Sequence, residues 1–149
     1  VKCIGIIGVR EIGRAIVAGL CGTGGPASEA FLSPRGAHIA AELAGRYGRI
    51  RVCAGNQRVL DCAEVVSAAV RRQDRHAALD GLRVNGATVM VNVMAEIAND
   101  DLRSMLATDA TLVRAIPLPS VRERRSVTVT CQRPFHDVHA VTNPWEELQ

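Results

Sequence analysis

Short apolar runs alternate along this chain with stretches whose apolar residues recur at helical spacing. The run from Val1 to Ile7 is uniformly apolar apart from Lys2, as expected of a strand buried on both faces, and Gly8 stops it. Ile12, Ile16 and Leu20, with Ala15 and Gly19 on the same face, then predict a helix, broken by Gly22, Gly24, Gly25 and Pro26. Residues 30–33 predict a second strand. Ser33 is placed to cap a second helix, with Pro34 in its first turn and a stripe of Ile39, Leu43 and Tyr47 ending at Gly48. Residues 50–53 form a third strand, 56–62 a short helix, 63–70 a fourth strand, 73–82 a helix and 87–93 a fifth strand. Asn99 is placed to cap a helix carrying Leu102, Met105 and Leu106, and Asp100 and Asp101 suit its positive end. Residues 111–116 and 126–130 predict two further strands.

Strands alternating with helices over short links predict an α/β domain with a mostly parallel, doubly wound sheet. The link 117–125 carries two prolines and four charged residues without a helical stripe. It is too short for a parallel crossover, so the seventh strand is expected to be antiparallel and at an edge. The domain is expected over residues 1–130. Residues 131–149 show weak periodicity and are expected to form an irregular tail.

Composition narrows the function. The chain has 149 residues, 48% of them hydrophobic and 22% charged, so it can bury a core without a metal or disulfide. Eighteen basic against fifteen acidic residues give a net charge of +3, mildly favourable to anionic ligands and too small to imply nucleic acid. Aromatics are 3%, which argues against base stacking. The five cysteines contain no C-x-x-C pair, so no zinc framework or redox dithiol is expected, and reduced thiols suit a cytoplasmic protein. The opening run lacks a charged leader, and no apolar stretch approaches the roughly 18 residues of a membrane span, so no membrane association is expected.

The informative segment is the first strand-to-helix turn, Gly8-Val9-Arg10-Glu11-Ile12-Gly13. A Rossmann dinucleotide site uses G-x-G-x-x-G here. The first glycine makes the turn, the second lets pyrophosphate reach the backbone, and the third lets helix pack on strand. Gly8 and Gly13 hold the outer positions, and Arg10 stands at the second. If that position required positive φ, Arg10 would also be strained. Obstruction by its side chain is expected to outweigh the attraction of its guanidinium for phosphate. At the end of the second strand, where an NAD site usually places a carboxylate, stand Ser33, Pro34 and Arg35. A hydroxyl and a guanidinium suit a 2′-phosphate, so NADP(H) is the expected cofactor.

Lys2-Cys3-Ile4-Gly5-Ile6-Ile7-Gly8 followed by Ile12-Gly13-Arg14-Ala15-Ile16 resembles the opening of the pyrroline-5-carboxylate reductases. Further similarity runs in order to about residue 130. Ser33-Pro34-Arg35 falls where that family recognises NADPH, and Asn56 where it contacts the adenosine ribose. Ala69-Val70-Arg71-Arg72-Gln73 resembles its A-V-K-P-Q turn beside the nicotinamide half. Residues 92–97 resemble its loop after strand five, and Val113-Arg114-Ala115-Ile116-Pro117-Leu118-Pro119 its R-x-M-P-N-T-P segment. The resemblance implies Rossmann-type NADP binding through Gly8, Arg10, Glu11, Ile12, Ser33, Arg35, Asn56, Ala69, Val70, Arg71 and Ala95. It also implies hydride reduction of a small imine or ketone, with proline as the family's product. The family's second, helical domain, which builds a dimer and much of the substrate pocket, is expected to be absent from these residues. The chain departs from the family at Arg10, Arg72 and Glu96, where it has glycine, proline and glycine, and at Leu118, where it has asparagine. No catalytic acid or base is nominated, and these residues are expected to be incomplete or only weakly active as a reductase. The alternative is a non-catalytic interaction or assembly module of the same fold that has lost the cofactor.

Other chemistry is weaker. His136 and His139 near Cys131 lack further ligands at suitable spacing, so no metal is expected. Arg71, Arg72, Arg75 and His76 suit a solvated charged face, and Arg122, Arg124 and Arg125 a polar loop. Cys53 and Cys62 suit core packing rather than nucleophilic roles.

Overall fold

The computed structural model describes residues 2–22 and 28–116, together with the strands at 128–131 and 138–141. Eight strands form one sheet: β1 (Cys3–Ile7), β2 (Glu29–Leu32), β3 (Ile50–Val52), β4 (Val65–Ala68), β5 (Val89–Asn92), β6 (Thr111–Ile116), β7 (Thr128–Cys131) and β8 (Val138–Val141). Their order is β3-β2-β1-β4-β5-β6-β7-β8. The first six strands are mutually parallel, whereas β7 runs antiparallel to β6 and β8 antiparallel to β7. The order 3-2-1-4-5-6 is that of the doubly wound dinucleotide-binding sheet, and it reverses between β1 and β4.

The helices are α1 (Glu11–Cys21), α2 (Ala37–Arg46), α3 (Asn56–Cys62), α4 (Arg75–Leu79, preceded by a 3-10 turn at Arg72–Asp74) and α5 (Asn99–Leu106). Period-2 alternation divides the core. Ile4 and Ile6 join Ile16, Val17, Leu20, Ala40 and Leu43 on one face, under α1 and α2. Ile7, Val66, Ala68 and Met90 join Val59, Leu60, Leu79, Leu102 and Leu106 on the other, under α3, α4 and α5. Both faces are covered, which is why the inner strands read as continuous apolar runs. Gly5 lets α3 lie close on β1, because a Cβ there would stand 2.7 Å from Val59 Cγ1.

Four expectations are corrected. Ser33 does not cap α2: its backbone N–H donates to Ile6 O at 2.9 Å, extending the ladder beyond β2, and its hydroxyl is used elsewhere. The helix starts later, at Ala37, after Gly36 at φ 81°, so Pro34 lies in the preceding turn. Asn99 is the first helical residue rather than the cap, because Ala98 takes the capping position and the Asn99 amide oxygen accepts from Asn92 Nδ2. Helix 73–82 shortens to the 3-10 turn plus α4, since Asp80 leaves helical geometry and Gly81 has φ 79°. Finally, β7 is antiparallel as expected but not an edge, because 138–141, within the segment expected to be irregular, pairs along its outer side. The link 117–125 with Leu118, Arg122, Arg124 and Arg125, and also His136, lie outside the described residues, as do the side chains of Cys131 and His139.

Candidate functional site

The carboxyl ends of the parallel strands gather the loops 8–10, 33–36, 69–74 and 93–98 along one rim of the sheet. Open parallel sheets bind ligands at this rim, at the point where strand order reverses.

The β1–α1 turn is fixed by glycines at its ends. Gly8 has φ 94°, and a Cβ on it would lie 2.5 Å from Ala69 O, so the turn rests directly on the backbone that follows β4. A Cβ on Gly13 would lie 2.6 Å from Gly8 O, so α1 starts hard against the same turn. Val9 is fully buried in the core. Arg10 occupies the N-cap with φ −116° and ψ −144°, a conformation that needs no glycine, and its side chain is exposed. The backbone strain entertained from sequence is therefore absent. No side chain caps α1, and the first turn of a helix leaves N–H groups without intrahelical acceptors. Those groups and the helix dipole favour an anion. Glu11 is exposed in this first turn, and Ile12 is half-buried against the core.

Ser33 is 0% exposed, and its hydroxyl oxygen accepts the Gly8 N–H at 3.0 Å. It therefore ties the end of β2 to the glycine turn instead of offering its hydroxyl to solvent. Arg35 is exposed beside it, with Nη1 3.6 Å from Asp74 Oδ1. Asn56 donates from Nδ2 to Ala78 O at 2.8 Å, pinning the start of α3 to α4, and its buried Oδ1 has no hydrogen-bond partner among the described residues.

Beyond β4 and β5 lies an open cleft of about 250 Å³ between residues 70–73 and 94–97. Val70 is buried in its floor, while Arg71 and Ala95 are exposed and Ala69 is half-buried at the base of the turn. A neighbouring cleft of about 320 Å³ continues past Arg72, Arg75 and His76 to Asp101 and Ser104. Arg72 and Glu96, two of the departures noted from sequence, line both clefts.

Three structural determinants were not nominated from sequence. Asn92 is 0% exposed and organises the loop after β5: Nδ2 donates to Ile97 O at 2.7 Å, and Oδ1 accepts from Met94 N at 3.0 Å. Arg114 on β6 reaches the same loop, donating to Ile97 O and to Ala95 O. Asn92 is the one polar residue of β5 and Arg114 the one charged residue of β6, and that was the available signal. Gly36 is the third: a Cβ there would lie 2.7 Å from Val9 O, so the start of α2 abuts the glycine turn.

Burial pushes the Cys21 thiol above its ordinary value, as it does for Cys53 with Cys62 adding to it, and for Cys3 with Glu64 and Glu29 adding to it. Among the described residues no cluster of three metal-ligating side chains occurs, and no helix is long and apolar enough to cross a membrane.

A glycine-pinned turn after β1, an uncapped α1 and a cation at the end of β2, on a 3-2-1-4-5-6 sheet, define a Rossmann-type dinucleotide-binding domain. The chain belongs to the family described as NADP oxidoreductase, coenzyme F420-dependent, whose sequence model matches residues 3–96, and NADP(H) is accordingly its cofactor. Solved structures extend the match to the whole fold. Pyrroline-5-carboxylate reductase of Streptococcus pyogenes superposes with a TM-score of 0.73 at 24% identity, covering 91% of this chain and 50% of that one. The Plasmodium falciparum pyrroline carboxylate reductase with NADP bound gives 0.70 at 11% identity over 92% and 50%. An imine reductase of Streptomyces aurantiacus gives 0.69 at 20% over 87% and 47%. The chain spans about half the length of these proteins. No curated protein matches it in sequence.

Proposed function

We propose that this chain is the NADPH-binding part of a reductase that transfers hydride to a small imine or ketone, of the pyrroline-5-carboxylate reductase type. The observation that carries the reading is Arg35, exposed at the end of β2 with no carboxylate between residues 32 and 36, beside the uncapped start of α1. When bound, NADPH supplies the hydride. The α1 N–H groups would hold its pyrophosphate, Arg35 its 2′-phosphate, and the cleft between residues 70–73 and 94–97 its nicotinamide end. Glu11, Ile12 and Asn56 would flank the pyrophosphate and the ribose. Ser33 acts by holding the Gly8 turn. Asn92 and Arg114 fix the loop carrying Ala95, against which substrate would be oriented.

A charged hydrogen bond from Arg35 contributes about 1.5–3 kcal/mol, or roughly tenfold to a hundredfold in affinity. NADPH is therefore expected to bind more tightly than NADH in a fluorescence titration at low salt. Equal dissociation constants would refute the reading. Residues 1–149 alone are expected to bind without appreciable turnover on pyrroline-5-carboxylate, because orientation of substrate, worth roughly 7–11 kcal/mol of barrier, would need the helical half of such reductases. Substrate-dependent NADPH oxidation at ordinary enzyme rates would refute that. The second reading, a non-catalytic module, draws on Arg10 at the turn and on Glu96 with Arg72 in the nicotinamide cleft. Failure to bind either dinucleotide would favour it.

A further inference from the structure

We propose that Asp74 is a specificity-determining residue: an internal anion that holds Arg35 across the mouth of the crevice and competes with the 2′-phosphate for it. Asp74 closes the 3-10 turn after β4 and occupies the N-cap of α4. An aspartate there ordinarily turns its carboxylate onto the helix N–H groups. Here no such bond forms, and Oδ1 instead stands 3.6 Å from Arg35 Nη1.

The placement of the pair gives it a function. Arg35 follows β2 and Asp74 follows β4, while β1 lies between those two strands in the sheet. The ion pair thus joins the loops on either side of the Gly8–Arg10 turn, where a dinucleotide would lie. Both side chains remain partly exposed, with 44% and 40% of their surface accessible, so the pair is weak enough for a ligand to open. A 2′-phosphate reaching Arg35 must either displace the carboxylate or lie beside it, and both cost binding energy. An unphosphorylated ribose has no anionic group to contend with Asp74. The residue therefore lowers the preference for NADPH below what Arg35 alone would give.

This rests on the NADP(H) reading above, and the test separates the two. NADPH and NADH dissociation constants are measured by calorimetry for the unaltered chain, Asp74→Asn, Arg35→Gln and the double variant, with 2′,5′-ADP and ADP as probes of the phosphate alone. Thermal melts check that each variant is folded. Asp74→Asn is expected to tighten NADPH and 2′,5′-ADP by about two- to fivefold, the range an exposed ion pair supports, and to leave NADH and ADP unchanged. The gain is expected to shrink toward unity in the Arg35→Gln background. Unchanged or weaker NADPH binding by a folded Asp74→Asn chain, with NADPH still bound by the unaltered one, overturns this proposal alone. No NADPH binding by either chain overturns the proposed function and this proposal together.

Discussion

Replacing Ser33 by alanine tests how the glycine turn is built. The Ser33 hydroxyl is wholly buried and accepts the Gly8 N–H at 3.0 Å, while Gly8 is itself buried and packed on the backbone after β4. Alanine leaves the rest of the strand ladder intact, including the Ser33 N–H bond to Ile6 O, but strands one buried donor. An unsatisfied buried N–H costs about 1–3 kcal/mol, so Ser33→Ala is expected to lower unfolding free energy by about that much. Urea denaturation measures it, with an unchanged denaturant slope showing that the two end states are otherwise the same. Amide exchange at Gly8 is expected to accelerate more than at Ile6 or Ile7. Ligand preference gives a second readout. Because Ser33 is buried, the ratio of NADPH to NADH affinity should barely change, whereas Arg35→Gln should collapse it. A stability loss below about 0.5 kcal/mol with unaltered Gly8 exchange would refute the positioning role. A collapse of the ratio in Ser33→Ala would instead make the hydroxyl a direct phosphate contact.

Gly36→Ala is expected to cost at least about 2 kcal/mol, because φ 81° and a 2.7 Å approach to Val9 O penalise any Cβ; denaturation within 0.5 kcal/mol of the unaltered chain would contradict this. Ser67→Ala is expected to leave stability unchanged or raise it by about 1 kcal/mol, since the buried Ser67 hydroxyl finds no partner among the described residues; a clear loss would reveal one. Thiols of the unfolded chain ionise around 9.0 and those of the half-buried Cys21 and the buried Cys53 only above it, so the unfolded chain holds fewer protons there and stability should fall as pH climbs past 9. The fall should be shallower in Cys21→Ala, and an identical slope would refute the assignment. Arg10→Gly should tighten NADPH by less than about tenfold without a gain in stability, since obstruction remains but strain does not; weaker binding would identify Arg10 as a phosphate ligand.

The alternation of strands and helices was legible because each inner strand is covered on both faces and each helix on one, so periodicity records burial directly. Helix starts were less legible. Ser33 and Asn99 carry the right side chains for caps, yet partners outside those helices, Gly8 and Asn92, claim both. Local propensity sees the residue and not its competitor. The strand at 138–141 escaped for a related reason. Four residues, Val-His-Ala-Val, carry little pattern of their own, and their pairing along β7 comes from the sheet edge that β7 presents.

At the site, the sequence located the loops but not the division of labour within them. Gly8 and Gly13 could be placed because a strand-to-helix turn leaves few solutions, and the structure shows what each avoids. Which position bears positive φ is not written in the motif: it is Gly8, so Arg10 stands there without strain. The polar residues divide along the same line. Ser33, Asn92 and Arg114 point their hydrogen bonds inward and set the loops, whereas Arg10, Arg35, Arg71 and Arg72 are exposed and can meet a ligand. An anionic cofactor at this rim would therefore be met by exposed guanidinium groups above a hydrogen-bonded backbone frame. Affinity at such a rim should fall steeply with salt while the frame's stability does not, because exposed charges are screened and buried hydrogen bonds are not.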